Sequence, residues 1–219
     1  MTDTGARARA GGRRYAGLAP AERALLRRRA LLDAALDRFG TDGYAATSVK
    51  QLCRTSALTE RYFYESFRDR ETCLRELYLE LADDLTAVTG TAVAQAGEGS
   101  DAAAERGLAA FVGYLTEDPR RARVVLVEVV GVSPALEEAR YGVLAGFADM
   151  ITAVLVGAGV EPTQREALAG VALAGAVNHL LVDRLMSGGE QDPAMLVEVC
   201  VTLFSAARSR FADERTAGR

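Results

Sequence analysis

The sequence is most informative first for what it lacks. Among 219 residues there is no tryptophan, one histidine, three cysteines and five prolines. A single histidine excludes a histidine-ligated metal cluster and the HExxH pattern of a metalloprotease. Cys53, Cys73 and Cys200 lie far apart with no CxxC spacing, which disfavours a disulfide scaffold and a common zinc site. An odd number of isolated thiols suits a reducing cytoplasm. No GxSxG or P-loop occurs, and the acidic pairs Asp83-Asp84 and Glu137-Glu138 are adjacent, so on helices they face different directions. The residues assemble no catalytic or metal site and imply no cofactor, and the chain reads as a non-enzyme.

Membrane signals are equally sparse. The basic N-terminus (Arg7, Arg9, Arg13, Arg14) is followed by no apolar stretch with a small-residue cleavage site, so it is not a secretory signal. Residues 141–160 carry one charge, Asp149, but also four glycines, and a mid-segment charge is costly in lipid. They read as a buried helix of a soluble protein, and no membrane partner is expected.

What is present is helical. Hydrophobic residues make up 49% and charged residues 26%, an ordinary globular balance. Asp118-Pro119, Ser133-Pro134 and Asp192-Pro193 each read as N-cap followed by proline at the first helical position. Pro162 precedes Thr163-Gln164-Arg165-Glu166, a capping-box pattern. No proline interrupts an apolar run. The fold class is all-α, with about nine helices: near 20–39, 48–55, 59–66, 69 to beyond 88, 102–116, 119–130, 134–156, 163–186 and 193–212. In the fourth, Leu74, Leu77, Leu81, Leu85 and Val88 form an apolar stripe. Gly40 and Thr41-Asp42-Gly43 end the first, and Gly97 to Asp101 is a polar break. The β-branched stretch Val124 to Val132 favours strand by propensity, but a lone strand has no pairing partner, so helix is expected.

The modest net charge of −4 conceals a division. Residues 1–75 hold 15 basic and 9 acidic side chains, net +6; the remaining 11 basic and 21 acidic give −10. A basic N-terminal part is what nucleic acid attracts, and an acidic remainder would be repelled by the duplex. The expected organisation is a disordered basic arm (1–19), a basic helical domain (20–70), a larger acidic helical domain (71–212) and a disordered tail (213–219).

The stretch 47–74, TSVKQLCRTSALTERYFYESFRDRETCL, carries the function. Two short helices flank a tight turn at 55–58. Val49, Leu52 and Cys53 face inward from the first, and Leu58, Phe63 and Phe67 from the second and its exit. This spacing fits a helix-turn-helix, whose second helix enters the major groove. Here the sequence resembles the TetR-type (tetracycline-repressor-like) bacterial regulators, through Ala34-Ala35-Leu36, Phe39-Gly40-Thr41-Asp42-Gly43-Tyr44, Thr47-Ser48-Val49 and Tyr62-Phe63-Tyr64-Glu65-Ser66-Phe67, followed by Arg68-Asp69-Arg70-Glu71. The resemblance covers about residues 25–80. Two positions depart from the family pattern: Ala57 stands where glycine is usual, and Glu60-Arg61-Tyr62 is bulkier than the usual segment. A left-handed backbone at Ala57 would cost about 1 kcal/mol.

The resemblance implies double-stranded DNA as partner. Thr47, Ser48 and Thr59 would open the two helices of the motif, with hydroxyl caps and helix N-termini facing phosphate. Glu60, Arg61 and Tyr62 would project toward base edges, Arg61 to guanine and Glu60 to cytosine. Lys50, Tyr64, Arg68 and Arg70 are phosphate candidates, and Arg27-Arg28-Arg29 would add nonspecific contacts. Tyr62 and Tyr64 are alternatively packing residues.

The resemblance also implies a homodimer and a small-molecule effector. The helices near 163–186 and 193–211 are apolar beyond one face, and the first is rich in small residues. Leu173, Val177, Leu181, Leu196, Val199, Leu203 and Phe204 are the expected interface. Effector candidates are Phe111, Tyr114, Val125, Glu128, Tyr141, Phe147, Met150, Asn178 and His179, with Arg123 or His179 placed to receive an acidic group. The expected function is a cytoplasmic repressor that binds a pseudo-palindromic operator and is released by a largely hydrophobic effector. The alternatives are a helical small-molecule binder without promoter function and a DNA-binding regulator without ligand.

Overall fold

The computed structural model describes residues 19–96 and 100–217. The expected disordered arm lies outside them except for Ala19, as do 97–99 of the polar break and the last two residues. Among the described residues the order is α1 (Pro20–Thr41), α2 (Val49–Thr55), α3 (Glu60–Ser66), α4 (Arg70–Ala94), α5 (Ser100–Glu117), α6 (Pro119–Arg123), a π-helical turn (Val124–Glu128), α7 (Pro134–Val156), α8 (Gln164–Met186) and α9 (Pro193–Ala217), with no strand.

The caps explain these boundaries. Ser48 and Thr163 head capping boxes with Gln51 and Glu166. Ser133 and Asp118 accept from Leu136 N at 3.3 Å and Arg120 N at 3.1 Å, each followed by proline. Asp192 accepts from Ala194 N at 3.0 Å. Helix α1 runs through Gly40, which is buried, and turns only at Gly43, where φ is +92°.

The chain divides into two compact units, Met1–Leu77 and Tyr78–Arg219. The division falls inside α4, between Leu77 and Tyr78. The first unit is closed by Leu31, Phe39, Leu52, Phe63, Leu74 and Leu77, all 0% exposed. Along α4 the expected stripe holds as far as Leu85. Val88 is then 39% exposed, and Thr89 is buried in its place.

In the second unit α7 and α8 approach closely. A methyl group added at Gly170 would come within 2.7 Å of the Ala148 carbonyl oxygen. Both helices are long and apolar enough to cross a membrane by length and composition alone. Ala104, Leu155 and Phe204 form the core where α5, α7 and α9 meet, with Ile151, Leu173 and Phe211 packed on it. The 124–128 stretch is helical despite its β-branched residues, but it is wound as a π-turn. That winding lets Arg123 Nε reach Glu128 Oε1 at 2.8 Å, five residues on.

One expectation is corrected at the C-terminus. Residues 213–217 read as part of a disordered tail by sequence, yet they are the last turn of α9. Charge pins them: Arg165 pairs with Glu214 at 2.9 Å, and Arg215 grips Glu166 with Nε at 2.7 Å and Nη2 at 2.6 Å. Glu166 is 2% exposed and also accepts from Thr163 N at 2.7 Å. Arg215 foremost, with Thr163, lowers its carboxyl pKa to about 2.

Candidate DNA interface and effector cavity

The turn between α2 and α3 is set by backbone. Ser56 caps α2, Leu58 N donates to Cys53 O at 2.9 Å and Ala57 N to Arg54 O at 3.3 Å. This pair is a Schellman closure, which requires a left-handed residue at its centre. Ala57 supplies it with φ +56°, the only positive φ of a non-glycine residue among the described residues. The left-handed geometry is therefore kept without glycine, at the alanine's steric cost.

Helix α3 then presents two faces. Phe63 is buried, with its ring 5.6 Å from Phe67 and edge-on to Tyr64 at 5.4 Å. Glu60, Arg61, Tyr64 and Glu65 share the opposite, exposed face. Arg61 is 83% exposed and pairs with Glu65 at 2.9 Å, one helical turn away. Thr59 occupies the N-cap position with extended backbone, but its hydroxyl makes no capping bond. Tyr62 is half-buried, with the Arg27 guanidinium 4.4 Å above its ring. It packs rather than projecting.

Several basic side chains expected at phosphate turn inward. Arg70 donates from Nη1 to Tyr44 O at 3.0 Å and to Thr47 O, and lies 4.2 Å over the Tyr44 ring. A guanidinium with carbonyl acceptors and an aromatic face is a tie between α4 and the α1–α2 turn, so Arg70 is corrected to a structural role. Arg28 pairs with Glu76, donates to Ser66 O at 3.3 Å and covers the Phe67 ring. Thr47 is likewise corrected: it is 0% exposed, and its hydroxyl donates to Gly43 O at 2.7 Å. Ser48, Lys50, Thr59, Glu60, Arg61, Tyr64 and Arg68 remain exposed. Arg68 pairs with Asp69, whose pKa falls to about 2 mainly because Thr72 N donates to it as the start of α4.

The second unit contains a cavity of about 90 Å³. Of the effector candidates, Phe111, Phe147, Met150 and Asn178 line it. Phe111 and Phe147 meet edge-on with centroids 4.9 Å apart. The other effector candidates lie elsewhere. Tyr141 is 76% exposed, His179 is exposed, and Arg123 and Glu128 pair across the π-turn. Tyr114 is stacked beneath Arg121 at 4.5 Å. Its hydroxyl pKa is pushed up to about 12, first by burial. Val125 is buried but does not line the cavity. Among the described residues no charged side chain lines it, and neither Arg123 nor His179 does. Thr89 and Cys200 line it unanticipated. The signal available for Thr89 was its place four residues after Leu85 on the buried stripe of α4.

The expected interface residues divide. Leu181, Leu196, Val177 and Phe204 are buried within this chain, and Leu173, Val177, Leu203 and Phe204 line the cavity. Interior packing thus accounts for most of them. The candidates Val199 and Leu203 are exposed on α9 and form a stripe with Met195 there and with Leu168 and Val171 on α8. The small residues divide too, with Gly170 and Ala174 buried and Ala172 and Gly175 exposed.

Residues 31–77 match the family model for bacterial regulatory proteins, tetR family. No curated protein matches the sequence. Among solved structures, the fold is similar to a putative transcriptional regulator from Pseudomonas aeruginosa PAO1, with TM-score 0.73 and 16% identity over 90% of this chain and 95% of that one. It is also similar to the transcriptional regulator FadR from Bacillus subtilis in complex with stearoyl-CoA, with TM-score 0.70 and 16% identity over 80% of this chain and 96% of that one. The TetR family regulator PfmR from Thermus thermophilus aligns at TM-score 0.63 and 22% identity, over 80% and 96% of the two chains. At such identities the likeness is one of fold. Residues 31–77 therefore carry a domain of the tetR family of bacterial regulatory proteins, within a chain whose all-helical fold is similar to that of such regulators.

Proposed function

We propose that the protein is a cytoplasmic repressor that binds a pseudo-palindromic operator as a homodimer and is released by a small, largely apolar effector. The observation that supports it most is the exposed face of α3. Glu60, Arg61 and Tyr64 sit there on a buried Phe63 anchor, in a part of the chain with net charge +6. A single α-helix fits the major groove, and such a face reads base edges.

The unpartnered stripe of Leu168, Val171, Met195, Val199 and Leu203 is the surface a second copy would cover. Ala172 and Gly175 beside it allow close helix approach. A two-fold dimer would set two α3 helices about 34–36 Å apart on one face of the duplex. The cavity would hold the effector, as the structurally similar FadR holds stearoyl-CoA. Effector binding would favour a state whose α3 helices are misplaced for the operator.

Variants of α3 test the reading. Arg61→Ala relaxes sequence preference and costs about 1–3 kcal/mol on the selected site, whereas Arg68→Ala weakens binding to all sequences and lowers the salt slope by about one. Competition binding at several salt concentrations separates the two effects. Identical behaviour of the two variants contradicts the assignment. Val171→Asp should give monomers in sedimentation equilibrium and lose operator affinity.

A further inference from the structure

The cavity of the second unit is apolar on nearly every side, yet it is lined by two polar side chains, Thr89 and Asn178, and the first has no partner among the described residues. Thr89 is 6% exposed, and its Oγ1 is buried with no hydrogen-bond acceptor or donor among the described residues. A threonine within a helix ordinarily donates to the carbonyl four residues back. Thr86, Thr116 and Thr152 do so here, each at 2.8 Å, and Thr202 does so at 2.9 Å. Thr89 does not. A threonine in a helix has two χ1 wells, so its hydroxyl can turn to an occupant without disturbing the backbone. Asn178, on α8, also lines the cavity, is half-buried, and carries an amide that can both donate and accept. A buried hydroxyl left unsatisfied is destabilising, and a group that satisfies it only when bound gains affinity and selectivity together.

The rest of the lining limits the ligand further. Among the described residues it contains no arginine, lysine, aspartate or glutamate. The Cys200 thiol, whose pKa burial raises, supplies no charge either. A charge brought into such a site would lose its water with no counter-ion to replace it.

We propose that this cavity selects an uncharged, largely apolar molecule bearing one carbonyl or hydroxyl oxygen, which Thr89 and Asn178 hydrogen-bond. The inference rests on the cavity being the effector site and specifies its chemistry.

The test uses the full chain and displacement of Nile red, a neutral apolar dye, with thermal shift as a second readout. The competitors are 2-nonanone, its hydrocarbon isostere 2-methyl-1-nonene, and nonanoate near neutral pH. The ketone should bind at least about tenfold more tightly than the carboxylate, because nothing in the site pairs with a charge. Thr89→Val and Asn178→Leu should each erode the preference for ketone over hydrocarbon, and the double variant should abolish it. Thr89→Val is nearly isosteric, and Asn178 is only partly buried, so one variant remains informative if the other fails to fold.

Nonanoate binding as tightly as the ketone would overturn the proposal. So would a double variant that keeps the preference, or a wild-type protein that neither competitor stabilises. Operator binding is read on the same preparations. Specific DNA binding without ketone discrimination overturns this inference alone. Ketone discrimination without specific DNA binding overturns the regulator reading alone.

Discussion

The two units of this chain are held by different chemistry. The first spends arginines as internal ties: Arg28 to Glu76, Arg38 to Thr55 and Asp42, and Arg70 to the carbonyls of Tyr44 and Thr47. Short helices of seven residues cannot hold themselves, so caps, guanidinium bridges and a few buried aromatics fix them. The second unit has long helices packed through apolar side chains. It has a cavity inside and an exposed apolar stripe outside. A rigid reader and a receptor with room inside are different physical problems. The chain solves them with different residues, and the reversal from +6 to −10 follows the same division.

The largest effect that would sharpen this contrast is expected at Phe63. Truncation to alanine removes a fully buried ring from the smaller core, costing about 3–5 kcal/mol. Circular dichroism melts should show loss of the first unit's helices, and operator binding should vanish, while Nile red still binds the cavity. Loss of dye binding as well would break the independence of the two units.

Next comes the Glu166–Arg215 pair of the second unit. Arg215→Met strands a buried carboxylate and should cost roughly 2 kcal/mol, discounted for the half-exposed guanidinium. Denaturant melts measure it. The pair also sets a pH response. The folded carboxyl has a pKa of about 2, below the ordinary value of 4.5. Its stabilisation is therefore complete above pH 4.5 and is lost as pH falls from there toward 2. The Arg215→Met protein should show a flatter acid limb in that window, and an unchanged limb would show that the pair does not set the response.

The smallest effect lies at Ala57. Ala57→Gly relieves the left-handed alanine and should stabilise the first unit by about 1 kcal/mol, partly offset by chain entropy. A matched rise in chemical stability with unchanged operator affinity is expected. A loss of stability would mean that the turn does not store this strain.

Much of this was legible in the sequence. Proline and N-cap pairs set helix starts to within a residue or two, and the aromatic run from Tyr62 to Phe67 marked the motif. Side-chain direction was less legible. Arg70 and Arg61 are both exposed-looking cations in the motif, yet one lies against Tyr44 and the other in solvent. Only tertiary contacts distinguish them. The interface candidates divide for a related reason, Val199 and Leu203 lying exposed and the others mostly inside this chain. A helix apolar all round announces two buried faces, but periodicity does not say which faces inward, and Leu181 and Phe204 belong to the chain's own core. The C-terminal tail read as a disordered terminus, because the charges that pin residues 214 and 215 are 49 residues away in sequence.

The central claim is that this chain reads DNA through α3 as a two-fold dimer. Selecting bound duplexes from a random pool with the full-length protein tests it most directly. Enrichment of one pseudo-palindrome is expected, with half-site centres about 10–10.5 base pairs apart or a multiple of that. The preferred base within each half-site should also relax in the Arg61→Ala protein. A pool that yields no enriched sequence, or a single asymmetric site unaffected by Arg61→Ala, would contradict the claim.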